Sequence, residues 1–135
     1  MTRRSVLLAF VCAGAASADS EKDAADVVTA LAAALSGDNI AAFMKPIDPA
    51  MPGYAKLRSQ LETLIGRAEV SSSISILDNM GDDARRTLSL DWYIEIRSRE
   101  IGDKTEPRRR TVRAVLAKSG KGWRVTELDP AGLFD

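Results

Sequence analysis

Apolar residues in the first half of the chain recur at intervals of three and four, which is the period of one face of an α-helix. This pattern predicts helices over residues 21–35 and 54–67, with a short helix over residues 39–45 between them. The stripe of the first helix consists of Ala24, Val27, Val28, Leu31, Ala34 and Leu35. Gly37 is placed for a left-handed C-terminal cap, and Asp38 for the N-cap of the short helix.

After Ala68 the apolar period changes from 3.6 residues to two, as in strands that bury one face. Predicted strands cover about residues 70–76, 84–99, 108–118 and 123–128. The inward positions of the second strand are Leu88, Leu90, Trp92, Ile94 and Ile96. Because that strand is long for a small domain, we expect it to bend or to carry a bulge. The pattern predicts an α+β domain whose N-terminal helices pack on a curved, mostly antiparallel four-stranded sheet.

Three short motifs follow one another along these elements. Residues 35–39 (LSGDN) join two predicted helices, residues 91–93 (DWY) lie in the long strand, and residues 119–125 (SGKGWRV) form the closing hairpin. In this order, over residues 21–134, they resemble the nuclear transport factor 2-like superfamily. The resemblance implies a cone-shaped, cystatin-like fold in which a curved sheet wraps the helices and can enclose a pocket. That superfamily holds isomerases, dehydratases, cyclases and binding modules, so the resemblance fixes no function.

The first eighteen residues have the layout of a secretory signal peptide. Arg3 and Arg4 give a positive start, an apolar run (VLLAFV) follows, and Ala18 ends an A-x-A cleavage site. We therefore expect a single mature domain of residues 19–135 that is periplasmic or secreted. Two alternatives stay open, because the paired arginines are compatible with a twin-arginine signal and Cys12 with lipoprotein processing. The apolar run is too short to span a bilayer, so we expect no stable membrane anchor.

Composition narrows the chemistry available to such a mature domain. The chain has no histidine, and its one cysteine, Cys12, lies in the predicted leader. A mature domain would then lack a thiol nucleophile, an imidazole base and the usual ligands of zinc, copper and haem. Removing Arg3 and Arg4 from the 19 basic residues leaves 17 against 19 acidic ones, which gives no reason to expect nucleic-acid binding. We expect no cofactor and no metal, because the acidic residues around Gly81 lack the spacing of a calcium loop.

A pocket inside the cone would draw on six residues: Phe43, Asp48, Tyr54, Trp92, Trp123 and Glu127. Steroid-isomerase-like members of the superfamily use a carboxylate base and a tyrosine hydroxyl in an apolar cavity. By that resemblance Asp48 or Glu127 would supply the carboxylate and Tyr54 the hydroxyl. Strict alternation along the fourth strand puts Glu127 on the apolar face, whereas a bulge near its end sends the side chain to water. Alternatively, the two tryptophans pack in the core, and Tyr54 is half-buried and packs at the start of a helix.

The outer face of the predicted sheet is strongly charged. It should carry Thr87, Ser89, Asp91, Tyr93, Glu95, Arg97, Arg109, Thr111 and Arg113. We expect the arginines at 108–110 to pair across strands with Glu95 or Asp91. Relatives with this fold often dimerise through this face, but its charge predicts a monomer or a weak homodimer here.

We expect, first, an exported domain of unknown specific role that binds a small hydrophobic ligand or a partner protein without catalysis. The alternative is an isomerase-like or lyase-like enzyme that uses a pocket carboxylate and a tyrosine. An acid and a hydroxyl donor that converge in an enclosed apolar cavity would favour the enzyme, and a cone filled by its own side chains would favour binding.

Overall fold

A computed structural model describes the backbone of residues 2–100, 104–130 and 132–135, and the side chains of these residues from Ala18 onwards. Its helices are α1 (Thr2–Ser36), α2 (Ile40–Met44) and α3 (Tyr54–Arg67). Its strands are β1 (Ala68–Gly81), β2 (Arg85–Ser98), β3 (Thr105–Ser119) and β4 (Gly122–Asp129), and a 3-10 turn, Gly132–Phe134, follows. Each strand pairs antiparallel with the next in the order β1-β2-β3-β4. This arrangement confirms the predicted α+β class.

The inner face of α1 is the stripe that the sequence predicts. Its fully buried members include Ala24, Val28, Leu31 and Leu35. Polar contacts fix the helix against β1: Ser72 N donates to Ser36 Oγ (2.8 Å), and Asn79 Nδ2 donates to the Glu21 carbonyl (3.0 Å). The helix and the strand therefore run side by side in opposite directions.

The predicted signal peptide lies outside the residues whose side chains are described, apart from Ala18. Ala18 and Asp19, on either side of the predicted cleavage point, are exposed. Ser20 is the first buried residue in the described part of α1, and its hydroxyl donates to Asp83 Oδ1 (2.8 Å). Among the described residues, we find no helix with both the length and the apolar character needed to cross a membrane.

The end of α1 corrects the predicted cap by one residue. Asp38, rather than Gly37, has the left-handed backbone (φ 56°), because Gly37 N still makes a helical hydrogen bond (3.0 Å). Asn39 N then reaches back to the Ala34 carbonyl (2.9 Å) and closes the helix end. Asn39, rather than Asp38, is the N-cap of α2, since its side chain accepts a hydrogen bond from the first turn of that helix (3.0 Å).

The turn between β1 and β2 is tighter than predicted, because β1 continues to Gly81. Gly81 has φ 141°, and a Cβ there would lie 2.2 Å from the Arg85 carbonyl oxygen, so only glycine fits. Asp82 Oδ1 accepts hydrogen bonds from the backbone N–H groups of Ala84 (2.8 Å) and Arg85 (2.9 Å). These two donors lower the pKa of the Asp82 carboxyl from its ordinary value of 3.8.

This turn gives the fold a predictable dependence on pH. Because the pKa of Asp82 is lowered in the folded protein, its carboxylate stabilises the fold above pH 3.8, and that contribution is lost as the pH falls through the folded value. Asp82→Asn should therefore melt below the wild type at pH 6, and the gap should close towards pH 2. Thermal unfolding of both proteins between pH 2 and pH 6 measures this difference in melting temperature. The control is Asp23→Asn, at an exposed position of α1, which should melt together with the wild type. A gap that is independent of pH would contradict the assignment.

Two bulges change which side chains face the core. The pairing of β1 with β2 shifts between Ile76 and Asp78, so Leu77 has no partner in the register. The pairing of β3 with β4 shifts as well and leaves Thr126 without one. A bulge reverses the inside–outside alternation of the residues beyond it. β2, the strand predicted to bend or bulge, pairs with β3 without interruption.

Candidate functional site

The interior of the cone is filled by aromatic side chains. Trp92 lies at the centre, with its ring centroid 6.2 Å from Phe43 and 5.3 Å from Phe134. Phe43 and Phe134 meet edge-on at 5.8 Å. The Trp92 indole N–H donates to Ser72 Oγ (2.8 Å), which satisfies its polar group. Phe43 and Trp92, two of the predicted pocket residues, are thus packed on one another, and Phe134 packs against both.

The sequence did not reveal the role of Phe134. The residues after Asp129 read only as the end of a strand, because a three-residue turn has no periodicity to detect. In the structure Leu133 and Phe134 are buried, at 1% and 3% exposure. Aromatic and apolar character in two adjacent residues after a Pro-Ala-Gly break was the available signal.

Glu127 does not face the core. The bulge at Thr126 pairs Glu127 with Val115 and places Leu128, opposite Ala114, in the buried position instead. The Glu127 carboxylate lies 3.6 Å from Arg113 and its side chain is 40% exposed. Of the two alternatives that the sequence left open for Glu127, the structure shows the bulge.

The other acid and the tyrosine are not brought together with Glu127. Asp48 is half-buried, and its carboxylate accepts a hydrogen bond from Ala50 N (2.9 Å) within its own loop. Tyr54 is partly buried at the start of α3 and packs against the core. Within the described part of the chain, neither carboxylate is hydrogen-bonded to the Tyr54 hydroxyl. Trp123 is buried too, with its indole N–H unpaired among these residues and the Lys118 ammonium 5.4 Å from the centre of its ring.

The outer face of the sheet pairs its own charges. Arg109 lies 3.3 Å from Asp91, as predicted for one of the arginines, and its guanidinium is 5.4 Å from the centre of the Tyr93 ring. The Tyr93 hydroxyl donates to Glu95 (2.8 Å), and this hydrogen bond raises the pKa of the phenol above its ordinary 10.0. These contacts join the side chains of β2 and β3 across the outer face.

A surface cleft of ≈590 Å³ lies beside the end of β4. Its lining includes Met51, Pro52, Arg85, Glu127, Leu128 and Asp129. The charged groups are at its exposed sides, so water reaches them. This cleft can hold a polar group, but it does not form the enclosed apolar cavity that proton abstraction by a carboxylate needs. Among the described residues, no group of three side chains is placed to hold a metal ion.

The exposed large apolar side chains of the described residues gather at one place. Ile76, Leu77 and Met80 are 37%, 60% and 62% exposed, all near the end of β1. We call these three residues the apolar tip. The bulge accounts for Leu77, which has no partner in the register with β2, and for Met80, which pairs with Thr87 of the outer face. Ile76 precedes the bulge and pairs with Leu90 of the inner face, so the three side chains share one end of β1 and not one face of the sheet. Asp78, Asp82 and Asp83 are exposed in the same stretch of chain, together with Arg85.

Comparison with known proteins gives the fold. No protein-family model matches the chain, and no curated protein matches it by sequence. Solved structures do match, among them a conserved protein from Planctomyces limnophilus (TM-score 0.73, 12% identity, covering 80% of this chain and 91% of that one). Another is a nuclear transport factor 2-like superfamily protein from Salmonella enterica (TM-score 0.69, 12% identity, 82% and 89%).

A third similar structure is a candidate dehydratase of the same fold family from Streptomyces avermitilis (TM-score 0.61, 9% identity, covering 82% of this chain and 94% of that one). The chain therefore has the nuclear transport factor 2-like fold, as its short motifs indicated. At these identities the likeness establishes the fold alone, and function must be argued from the residues.

Proposed function

We propose that the protein is an exported, non-catalytic domain that binds another protein through the apolar tip. The observation that carries the proposal is the gathering of the exposed large apolar side chains into Ile76, Leu77 and Met80. Exposed large apolar side chains grouped at the end of an edge strand, with polar neighbours, suit a protein-binding surface. Burying a large apolar side chain that is now in water contributes about 1.5–3 kcal/mol, so a few such residues can anchor a partner.

The charge around the apolar tip indicates the kind of partner. Three acids, Asp78, Asp82 and Asp83, are exposed in this stretch against one base, Arg85, so its net charge is negative. A second copy of the chain, related by a two-fold axis, would bring these carboxylates towards one another. A partner with basic residues around an apolar contact fits better, and its association should weaken with salt. We therefore propose a monomer on its own.

The packing of α1 supports the proposal of export. Ala18 and Asp19 are exposed, and the contacts of α1 with the sheet that involve described side chains begin at Ser20. Cleavage after Ala18 would therefore leave those contacts intact. The proposed location is the periplasm or the medium.

The enzyme alternative has less support from the geometry. Glu127 is half-exposed beside Arg113, and Asp48 is used within its own loop. An isomerase-like mechanism would require one of these carboxylates to meet the Tyr54 hydroxyl in an enclosed cavity.

Site-specific crosslinking tests the proposal. A benzoylphenylalanine placed at Leu77 should form a covalent adduct with a protein partner in cells, and the same residue at Lys104 should not. Lys104 is exposed and precedes β3, at the opposite end of the sheet. Met80→Lys should reduce the adduct about tenfold, since removing one apolar anchor costs about 1.4 kcal/mol or more.

The adduct also tests export and charge. N-terminal sequencing of the crosslinked chain should start at Asp19. The identified partner, once purified, should bind the wild type more weakly in high salt than in low salt. Equal adduct yields at Leu77 and Lys104 would overturn the proposal. So would a partner whose affinity is changed neither by salt nor by Met80→Lys.

A further inference from the structure

The 3-10 turn Gly132–Phe134 is held on the domain in an unusual way. Its apolar part is deep, because the Phe134 ring lies edge-on against both Trp92 (80°) and Phe43 (82°). Its polar attachments are near the surface. Arg108 Nη1 donates to the carbonyl oxygens of Leu133 (3.0 Å) and Asp135 (2.6 Å). Gln60 Nε2 donates to the Asp135 carboxylate.

Two surface grooves run along the turn. One, of ≈290 Å³, is lined by Leu64 of α3 and by Phe134. The other, of ≈230 Å³, is lined by Leu57, Leu128 and Gly132. Lys56, Gln60 and Asp135 border both. The turn therefore borders two grooves, although Leu133 and Phe134 are themselves buried. One local backbone hydrogen bond, from Asp135 N to the Gly132 carbonyl (3.3 Å), closes it.

We infer that Gly132–Phe134 is a displaceable plug, and that it fills a binding site for an aromatic carboxylate. The Phe134 ring defines the apolar half of the site, with Phe43 and Trp92 as walls that present ring faces and edges to a planar group. The plug's carbonyl oxygens define the polar half. When the plug leaves, the Arg108 N–H that they occupy becomes free to bind a carboxylate.

The neighbouring charges favour an anionic ligand. Lys56 borders both grooves, and none of the described residues forms an ion pair with it. Arg108 has an acidic partner, Glu106, bound through Nε, whereas its Nη1 donates to the two carbonyl oxygens of the plug segment. Gln60 adds a neutral donor. A ligand that carries a phenyl ring and a carboxylate a few bonds apart, such as 3-phenylpropanoate, matches the ring and the carbonyl oxygens of the plug together.

Fluorine NMR observes the plug directly. The chain has three phenylalanines, Phe10, Phe43 and Phe134, so incorporation of fluorophenylalanine gives three signals. Phe134→Leu assigns the third. On titration of the full-length chain with 3-phenylpropanoate, we expect the Phe134 signal to move saturably to the position of the free amino acid. The Phe43 signal should shift but remain that of a buried ring.

Variants test the competition between plug and ligand. If the open form holds about 0.1–10% of the population, Phe134→Ala should bind 3-phenylpropanoate about 10- to 1,000-fold more tightly than the wild type. Leu88→Ala is the control, because it makes a cavity in the same core but away from the plug. Leu88 lies six residues along β2 from Ile94, which pairs with Arg108. This variant should not gain affinity for 3-phenylpropanoate. The neutral analogue 3-phenylpropanol should bind Phe134→Ala about tenfold more weakly than the acid, and Arg108→Gln should remove that difference.

Two results would overturn the inference. The first is a Phe134 signal that keeps the chemical shift of a buried ring up to a saturating concentration of 3-phenylpropanoate, since Phe134 would then be a permanent core residue. The second is an equal gain in affinity for Leu88→Ala, which would indicate a generic cavity. If Phe134→Ala fails to fold, the fluorine titration of the wild type decides alone.

Discussion

Replacing Trp92 by alanine should lower the free energy of unfolding by about 3–5 kcal/mol. The indole is fully buried and contacts both Phe43 and Phe134, so its removal leaves a cavity at the centre of the core. It also leaves the Ser72 hydroxyl without its donor. The whole free energy of unfolding of such a domain is about 5–15 kcal/mol, so the variant should be close to unfolded at 37 °C. Urea denaturation followed by far-UV circular dichroism measures the loss.

The neighbouring aromatic residue provides the control for Trp92. Tyr93 lies on the outer face of β2, half-exposed, with its hydroxyl bound to Glu95. Tyr93→Ala should cost less than Trp92→Ala, because the Tyr93 side chain is only partly buried and lies outside the central aromatic cluster. A cost similar to that of Trp92→Ala would mean that the inner and outer faces of β2 are assigned wrongly.

Replacing Asn79 by alanine should lower the free energy of unfolding by about 3 kcal/mol. Asn79 joins three parts of the fold: its Nδ2 donates to the Glu21 carbonyl of α1, and its Oδ1 accepts from Arg86 Nε (2.8 Å). Arg86 is 4% exposed, and its second hydrogen bond goes to the Asn79 carbonyl (3.1 Å). Asn79→Ala therefore leaves the buried Nε of Arg86 without an acceptor, and this costs more free energy than the lost hydrogen bond alone.

A double-mutant cycle isolates that cost. Arg86→Met removes the charge together with its need for acceptors, so the pair Asn79→Ala/Arg86→Met should lose less stability than the sum of the two single changes. Asn39→Ala, which removes an exposed helix cap, should cost about 1 kcal/mol and serves as the matched asparagine control. Strict additivity of Asn79 and Arg86 in urea denaturation would contradict the proposed coupling.

The two proposals use separate parts of the molecule. The apolar tip lies near the end of β1, whereas the plug packs against α3 and the end of β3 that carries Arg108. Changes at Met80 should therefore leave the binding of 3-phenylpropanoate unaltered, and changes at Phe134 that preserve folding should leave the crosslink at Leu77 intact. Either proposal can fail without the other.

The sequence by itself determined the helices and strands, because their periods are local. Residues 54–67 were predicted as a helix with the same limits as α3, and the inward alternation from Leu88 to Ile96 is the buried face of β2. The α+β class followed from the change of period after Ala68. The core role of Trp92 followed from its place in that alternation, with the pocket lining left as an alternative.

Only the tertiary structure decided which of the candidate site residues meet. Glu127 left the apolar face because the pairing of β4 with β3 inserts Thr126, and pairing between strands is a non-local property. Phe134 fills the cone because Trp92 and Phe43, remote in sequence, make a place for its ring. Asp38 took the left-handed position from Gly37 because the helical hydrogen bonds continue one residue further, to Gly37 N and the Ala33 carbonyl. Periodicity predicts which residues are buried, whereas strand register and packing decide which residues they contact.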